Sequence, residues 1–333
     1  MAFPRHVVSR TAISNDFVHF ESAHVHPAVL TPDGTRLLVV NTPDDRLSVF
    51  DLTGAHPVRI AEIPVGLEPV SVAAQDNNTA WVVNGLSDNV SVVDLTTMHV
   101  RATLQVGDEP NDVVFAGAPQ RAYVSVSQED RIRVYDPANL AAAPVNIQIH
   151  GRYPRALAVN AAGTFVYTAV LYAGNRTSVL GFQEVPADSQ PGDPQFPRDP
   201  QLTLDHGPGP RTGLIVQQQG SDWRDMYGKL WNYRIKYTQR DVDVAEIAAG
   251  GASPSRVFAG LGTVNYAIAV SPTDGRIAVT STEARNLLRY EPRLKGHFVD
   301  TQVGFITTAG TRSVANLNPQ ANYAGAGTQA ERD

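Results

Sequence analysis

The 333-residue sequence contains no cysteine. Disulfide bonds, thiolate metal sites and a Cys-x-x-Cys-His haem attachment are therefore excluded in this chain. Charged residues are also scarce, at 18% of the chain, and the formal net charge is −6. The sequence has neither the basic excess nor the basic stripe of nucleic-acid-binding proteins, so we expect no nucleic-acid partner.

Long apolar runs are missing as well. No stretch approaches the roughly 18 apolar residues of a membrane-spanning helix, so no transmembrane segment is expected. Residues 1–17 have no apolar core and no small-residue cleavage site, so no signal peptide is predicted there. Nucleophile-elbow and P-loop motifs are also absent, which leaves no obvious catalytic residue in the sequence.

Short β-branched and aromatic runs separated by turn residues fill the sequence instead. The stretch 68–94 predicts three strands: an alternating segment after Pro69, the run Trp81-Val82-Val83, and the alternating segment 90–94. Asn- and Asp-rich turns, which tolerate left-handed backbone, separate these segments.

This pattern occurs five times along the chain. Its equivalent positions are spaced by 44, 41, 44 and 111 residues and fall at Val25, Pro69, Pro110, Pro154 and Asn265. A period in the low forties with about four strands per unit is typical of β-propeller blades. The sequence therefore predicts an all-β, WD40-like β-propeller of four-stranded blades, whose five recognisable repeats belong to a seven-bladed ring.

The long spacing and the two ends predict the domain organisation. A propeller is expected over residues 1–310, with an insertion at about 182–240 in blade 4 that covers one mouth of the ring. Residues 184–212 are rich in Pro, Asp, Gln and Gly and predict irregular structure. A lead-in strand is expected at 17–20. Residues 311–333 are small and polar, and predict a tail that is a truncated connection to further blades.

The repeats resemble the YVTN β-propeller family. Its name-giving tetrad is matched by Leu38-Val39-Val40-Asn41 and Trp81-Val82-Val83-Asn84. More narrowly, the chain resembles the propeller part of bacterial extracytoplasmic proteins that also carry cytochrome c or di-haem peroxidase-like modules. The stretches that carry this second resemblance are 20–27, 174–177, 283–286 and 296–300.

This resemblance identifies a fold, and its tetrad carries no chemistry of its own. It implies a periplasmic or cell-surface location, protein partners such as cytochrome c-type modules outside this chain, and no cofactor held by the chain itself. A fold that hosts both binding and catalysis does not decide between them, however.

Two histidines form the candidate metal site. His24 and His26 are two residues apart, so in a strand both side chains point to one side, and His19 is close in sequence. Imidazole binds many transition metals, but a zinc site needs three or four converging ligands. The structural alternative is a polar strand that lines the central channel or a blade edge.

An aromatic and basic segment forms the candidate binding surface. Exposed Trp, Tyr and Arg side chains favour contacts with sugars, peptides or proteins. The alternative is that the rings pack onto the propeller, because large aromatic side chains are mostly buried. The residues concerned are Trp223, Tyr227, Trp231, Tyr233 and Arg234.

Two functions from different classes are therefore open. The first is a non-enzymatic scaffold or protein-interaction module. The second is a hydrolase or lactonase-like enzyme with a metal or acid–base site in the propeller channel. An enzyme is expected to bring three or more His, Asp or Glu side chains with perturbed pKa values to one point in the channel.

Overall fold

The computed structural model describes residues 23–185, 213–288 and 296–321. The predicted lead-in strand at 17–20 and most of the irregular stretch 184–212 lie outside these residues. Regular structure in the described ranges consists of 23 β-strands and one short 3-10 turn, and all strand pairs are antiparallel apart from one isolated bridge. These strands form five four-stranded sheets and one three-stranded sheet.

Blades 1 to 3 are four-stranded sheets whose strands follow chain order. Blade 1 consists of β1 (Ala28–Leu30), β2 (Arg36–Asn41), β3 (Arg46–Asp51) and β4 (Val58–Pro64). Blade 2 consists of β5 (Pro69–Ala74), β6 (Thr79–Asn84), β7 (Asn89–Asp94) and β8 (His99–Gln105). Blade 3 consists of β9 (Pro110–Ala116), β10 (Arg121–Val126), β11 (Arg131–Tyr135) and β12 (Val145–Gln148).

Blade 4 is interrupted by a separate sheet, and blade 5 is continuous in order. Blade 4 consists of β13 (Arg152–Val159), β14 (Phe165–Tyr172), β18 (Val244–Ala248) and β19 (Arg256–Phe258). The inserted sheet consists of β15 (Thr177–Leu180), β16 (Leu214–Gln219) and β17 (Asp222–Arg224). Blade 5 consists of β20 (Val264–Val270), β21 (Ile277–Ala284), β22 (Val299–Ile306) and β23 (Arg312–Asn316).

The sheets confirm the predicted all-β propeller of four-stranded blades, but two boundaries differ from the expectation. The inserted sheet begins at Thr177, not at about 182, because 177–180 pairs with β16 rather than with a blade. The alternating sequence of 177–180 is typical of a blade strand, and only its pairing partner shows that it belongs to the inserted sheet. The predicted tail begins with β23, an edge strand whose five residues are all exposed and therefore show no hydrophobic alternation.

Neighbouring blades bury their faces against each other. Four apolar clusters join blades 1 and 2, 2 and 3, 3 and 4, and 4 and 5. Trp81 of blade 2 is fully buried in the second of these clusters, with its ring edge-on to Phe115 of blade 3 at a centroid distance of 5.7 Å. Each blade therefore depends on a neighbour for its core, as expected of a repeat architecture.

The outer faces of the terminal blades are different. In the described residues, no buried cluster joins blade 5 to blade 1. The free face of blade 1 carries the cross-strand row Leu30, Leu37 and Phe50, and Leu30 remains 52% exposed. The free face of blade 5 carries Ala278 beside Phe305. Both faces therefore carry apolar side chains that are not fully buried.

A recurring aspartate joins consecutive blades at one end of the ring. Asp45, Asp88 and Asp130 all have positive φ, which Asp adopts more readily than most residues. The Oδ1 atom of each accepts a hydrogen bond from the backbone N–H at the start of the next blade, at 2.8, 3.1 and 2.8 Å respectively. Each carboxylate thereby fixes where the next inner strand begins, which sets the positions of the side chains at the channel mouth.

Candidate active site in the central channel

The innermost strands β1, β5, β9, β13 and β20 lie side by side around the channel. The segment 23–26, which precedes β1, runs along β5 inside this space. The N–H of Val25 donates to Val70 O (3.0 Å), and the N–H of His26 donates to Ser71 Oγ (3.0 Å). The side chain of Val25 packs against the cluster between blades 4 and 5. This axial segment (residues 23–26) therefore contacts both sides of the channel.

A histidine–aspartate pair lies on this segment and on β9. The Nδ1 atom of His26 is 2.7 Å from Asp112 Oδ2. Asp112 is fully buried, and it also accepts hydrogen bonds from the N–H groups of Leu157 (2.7 Å) and Val113 (2.9 Å). These contacts with His26, Leu157 and Val113 hold the Asp112 carboxylate in a fixed orientation.

The pair changes the titration of His26. The hydrogen bond to Asp112 and the charge of Asp112 raise the pKa of His26 above 6.5, while burial and the nearby Arg155 oppose this increase. The imidazole side chain keeps 42% of its surface exposed. Among the described residues, none is hydrogen-bonded to Nε2 of His26. This nitrogen is therefore available for proton transfer in the channel.

Arg155 of β13 fixes the axial segment. Its guanidinium donates to the backbone oxygens of Ala23 (2.7 Å), His24 (3.0 Å) and Tyr266 (3.0 Å). The residue is 8% exposed, and burial lowers its pKa from the ordinary arginine value. Because arginine stays protonated in proteins, this group is a positive charge that ties the axial segment to blade 5.

A cavity of about 360 Å³ opens where the inner strands of blades 2, 3 and 4 begin. Tyr153 and Arg155 form part of its wall, and the Tyr153 hydroxyl donates to Glu109 Oε2 at 2.6 Å. Burial and this carboxylate raise the pKa of Tyr153 to about 12. Tyr153 therefore stays a hydrogen-bond donor at every physiological pH and keeps Glu109 in place.

The two predicted metal-binding histidines do not converge. The Nε2 atom of His24 is 2.5 Å from Thr42 Oγ1 of blade 1, whereas His26 pairs with Asp112 of blade 3. His19 lies outside the described residues. In the described part of the chain, no group of three or more His, Asp or Glu side chains is placed to hold a metal ion. A metal site at His24 and His26 stays a prediction, and the different partners of the two imidazoles do not support it.

Part of the predicted aromatic binding surface is buried. Trp223 and Trp231 are buried in the core of the inserted sheet, and Tyr227 packs against that core. Tyr233 is 52% exposed and stacks on Trp231 at a centroid distance of 5.7 Å. Arg234 lies over the Tyr233 ring at 5.4 Å and pairs with Glu184 at 3.0 Å. Tyr233 and Arg234 are thus the members of this set that form a surface.

Asp112 and Arg155 were not among the predicted site residues. The signal that could have identified them is position. Each is a charged residue within an inner strand. At the equivalent positions of blade 2, counted from Pro69, stand the uncharged residues Ser71 and Val70. A charge in such a buried strand requires a partner, and proteins rarely keep one there without a role.

A sequence model of the family described as "Lactonase, 7-bladed beta-propeller" matches residues 6–180. This match spans the axial segment, blades 1 to 3 and the first half of blade 4, and so includes His26, Asp112 and Arg155. No curated protein matches the chain significantly in sequence.

Solved structures share the fold at low sequence identity. Hydrazine synthase from Kuenenia stuttgartiensis is 19% identical with a TM-score of 0.62, over 93% of this chain and 71% of that chain. A putative 6-phosphogluconolactonase from Bacteroides uniformis is 14% identical with a TM-score of 0.51, over 89% of this chain and 72% of that chain. A functionally unknown protein from Desulfotomaculum acetoxidans is 11% identical with a TM-score of 0.50, over 87% and 68%. Within the described ranges, no helix is long and apolar enough to cross a membrane.

Proposed function

Because the chain belongs to the lactonase, 7-bladed beta-propeller family, we propose that it hydrolyses small cyclic esters in its central channel. The observation that carries this proposal is the pairing of His26 with the buried carboxylate of Asp112, at 2.7 Å, inside the channel. A partly exposed imidazole oriented by a buried carboxylate is the arrangement that general-base catalysis requires.

The proposed reaction uses one water and no covalent intermediate on the protein. Nε2 of His26 takes a proton from a water molecule as its oxygen attacks the lactone carbonyl carbon. The Nδ1–H group donates to Asp112, whose negative charge stabilises the imidazolium that forms. When the tetrahedral intermediate collapses, the ring C–O bond breaks and the imidazolium returns the proton to the leaving alkoxide. The product is the open-chain hydroxy acid.

The test is the hydrolysis of glucono-δ-lactone by wild type and by the variant His26→Gln, corrected for the uncatalysed rate. We expect kcat/KM to fall by about 100-fold in the variant, since general-base catalysis typically contributes at least this much. The control is His99→Gln, because His99 is exposed on the outer strand β8. Equal rates in wild type and His26→Gln would refute the assignment of His26, provided that both proteins show the same thermal unfolding midpoint.

The pH profile supplies a second readout of the same proposal. His26 acts as a base only when its imidazole is neutral, and Asp112 raises its pKa. We therefore expect kcat/KM to increase with pH through a midpoint above 6.5. A rate that is independent of pH between 5.5 and 8.5 would contradict the general-base role of His26.

The scaffold remains a second candidate, supported by the exposed part of the inserted sheet. Tyr233 rests on a buried tryptophan and carries Arg234 beside it, which gives a rigid aromatic and basic contact pair. Such pairs commonly dominate protein interfaces. The partner that the family resemblance suggests is a c-type cytochrome module, in the periplasm or at the cell surface.

Binding of a small soluble c-type cytochrome tests this second candidate. If the surface formed by Tyr233 and Arg234 is the contact surface, the double variant Tyr233→Ala with Arg234→Ala is expected to raise the dissociation constant about tenfold or more, as measured by calorimetry. Substituting exposed apolar and basic residues of blade 1, Val58→Ala with Arg59→Ala, provides a matched control. Absence of binding by the wild-type protein would exclude this partner.

A further inference from the structure

The cavity at the channel mouth has an excess of negative charge. Three carboxylates, those of Asp88, Asp108 and Glu109, line it together with a single guanidinium, that of Arg155. Among the described residues that line this cavity there is no lysine and no second arginine. A ligand that enters the channel by this mouth therefore passes three anionic groups and one cationic group.

The single cation is already engaged. The guanidinium of Arg155 donates to three backbone oxygens of the axial segment and β20, and the residue is 8% exposed. Phosphate recognition usually relies on Arg or Lys groups that point at the ligand, or on unpaired backbone N–H groups. To bind a phosphate in that way, Arg155 would have to release Ala23 and His24, which would detach the segment that carries His26.

Two of these three carboxylates, those of Asp88 and Glu109, are held in place by hydrogen bonds. Asp88 Oδ1 accepts from the Glu109 N–H at 3.1 Å, and Glu109 Oε2 accepts from Tyr153 (2.6 Å) and from Gln128 Nε2 (3.0 Å). Carboxylate oxygens accept hydrogen bonds from hydroxyl groups, so this wall suits a ligand with several O–H donors. Its negative potential also lowers the local concentration of anionic ligands.

The geometry points to an uncharged polyhydroxylated lactone as the substrate class, with exclusion of phosphorylated sugar lactones. This inference rests on the proposed lactone hydrolysis. The inferred substrate class differs from the phosphorylated lactone after which the structural neighbour from Bacteroides uniformis, a putative 6-phosphogluconolactonase, is named. The residues that set this specificity are Asp88, Asp108 and Glu109, which line the cavity. The proposed chemistry belongs to His26 and Asp112, which are not part of this lining; Asp112 lies on β9 two residues after Pro110 of the cavity wall.

The experiment compares kcat/KM for glucono-δ-lactone and for 6-phosphogluconolactone with the full chain. We expect a preference for the uncharged lactone of about tenfold or more, because a phosphate dianion must pass a net negative mouth. The double variant Asp88→Asn with Asp108→Asn keeps the Oδ1 acceptor for Glu109 and removes two charges. It is expected to narrow the preference severalfold, mainly by improving the rate with the phosphorylated lactone.

A matched control removes two charges elsewhere. Asp51→Asn with Asp94→Asn alters partly exposed carboxylates at the far ends of β3 and β7, about 20 Å along the strands from the mouth. This control is expected to leave the preference unchanged. If it narrows the preference as much as the mouth variant does, the effect is one of overall net charge and the inference fails.

Two other outcomes separate this inference from the proposed function. Equal or faster hydrolysis of the phosphorylated lactone overturns the inference and leaves lactone hydrolysis intact. If neither lactone is hydrolysed above the uncatalysed rate, the proposed function fails. Calorimetric binding of δ-gluconolactam and of its 6-phosphate then tests the charge selection at the mouth by itself. Tighter binding of the uncharged lactam supports the charge selection at the mouth, and tighter or equal binding of the phosphate overturns it.

Discussion

Replacement of Trp81 by alanine is expected to lower the free energy of unfolding by about 3–5 kcal/mol. The indole of Trp81 is fully buried between blades 2 and 3, edge-on to Phe115 and tilted toward Tyr135. Its Nε1–H donates to Gln75 Oε1 at 3.0 Å, so the substitution also removes a hydrogen bond. The cavity that remains lies between two rigid sheets, which limits how far the surroundings can close over it.

Urea unfolding monitored by circular dichroism checks this value. The chain has three tryptophans, and the other two, Trp223 and Trp231, lie in the apolar cluster of the insertion. Fluorescence of the variant therefore reports on the insertion alone, while circular dichroism reports mainly on the blades. Leu86→Ala serves as a control, since Leu86 is 59% exposed and its loss is expected to change stability by less than about 0.5 kcal/mol. A loss below about 1 kcal/mol for Trp81→Ala would contradict the blade 2–blade 3 packing.

Trp81 also illustrates which parts of the fold can be predicted from the sequence. It belongs to a β-branched and aromatic run bounded by Asn- and Asp-rich turns, and this local pattern recurs at the period of a blade. Strand, turn and period are all local properties, so five blades could be assigned without coordinates. The edge strand β23 could not, because a strand that is exposed along its whole length leaves no alternation in the sequence.

The candidate site depends on contacts that are distant in sequence. The spacing of His24 and His26 singled out His26 as a candidate metal ligand, but its partner Asp112 is 86 residues away and belongs to another blade. Its partner follows from the ring arrangement and not from any motif. The same limit applies to the inserted sheet, where Trp231 and Tyr233 are two residues apart yet one is buried and the other is half exposed. Composition predicts an aromatic cluster there, and only the packing decides which ring faces outward.

A buried carboxylate beside blade 4 leads to the second large expected effect, a pH-dependent loss of stability. Asp243 is fully buried, and its Oδ2 atom accepts from the Leu261 N–H. Asn265 Nδ2 lies 3.3 Å from Oδ1. Burial and the neighbouring charge of Asp241 raise the pKa of Asp243 to about 7, against these hydrogen bonds. Arg176 pairs with Asp241 at 3.2 Å, and among the residues that the structure describes no cation is directly paired with Asp243.

The direction of the pH effect follows from the raised pKa. Below pH 3.8 the carboxyl is protonated in both the folded and the unfolded chain, and it has no effect on stability. Between pH 3.8 and 7 the folded chain binds more protons than the unfolded chain, so the free energy of unfolding falls as the pH increases. A difference of about three pKa units corresponds to a loss of at most about 4 kcal/mol above pH 7.

The variant Asp243→Asn isolates this contribution, because its side chain is neutral at every pH. Urea unfolding of wild type and variant at pH 5 and pH 8 gives two stability differences, and we expect the variant to gain roughly 2–3 kcal/mol relative to wild type between them. A constant change in packing or hydrogen bonding cancels in this comparison, as do the titrations of Asp241 and His26 to the extent that they are unaffected by the substitution. Asp94→Asn is the control: hydrogen bonds from Thr96 lower the pKa of Asp94 to about 2, so it is ionised in both states over this range. If Asp243→Asn shows the same pH dependence as wild type, Asp243 is ionised in the folded protein at pH 5, and a cation or solvent must compensate its charge.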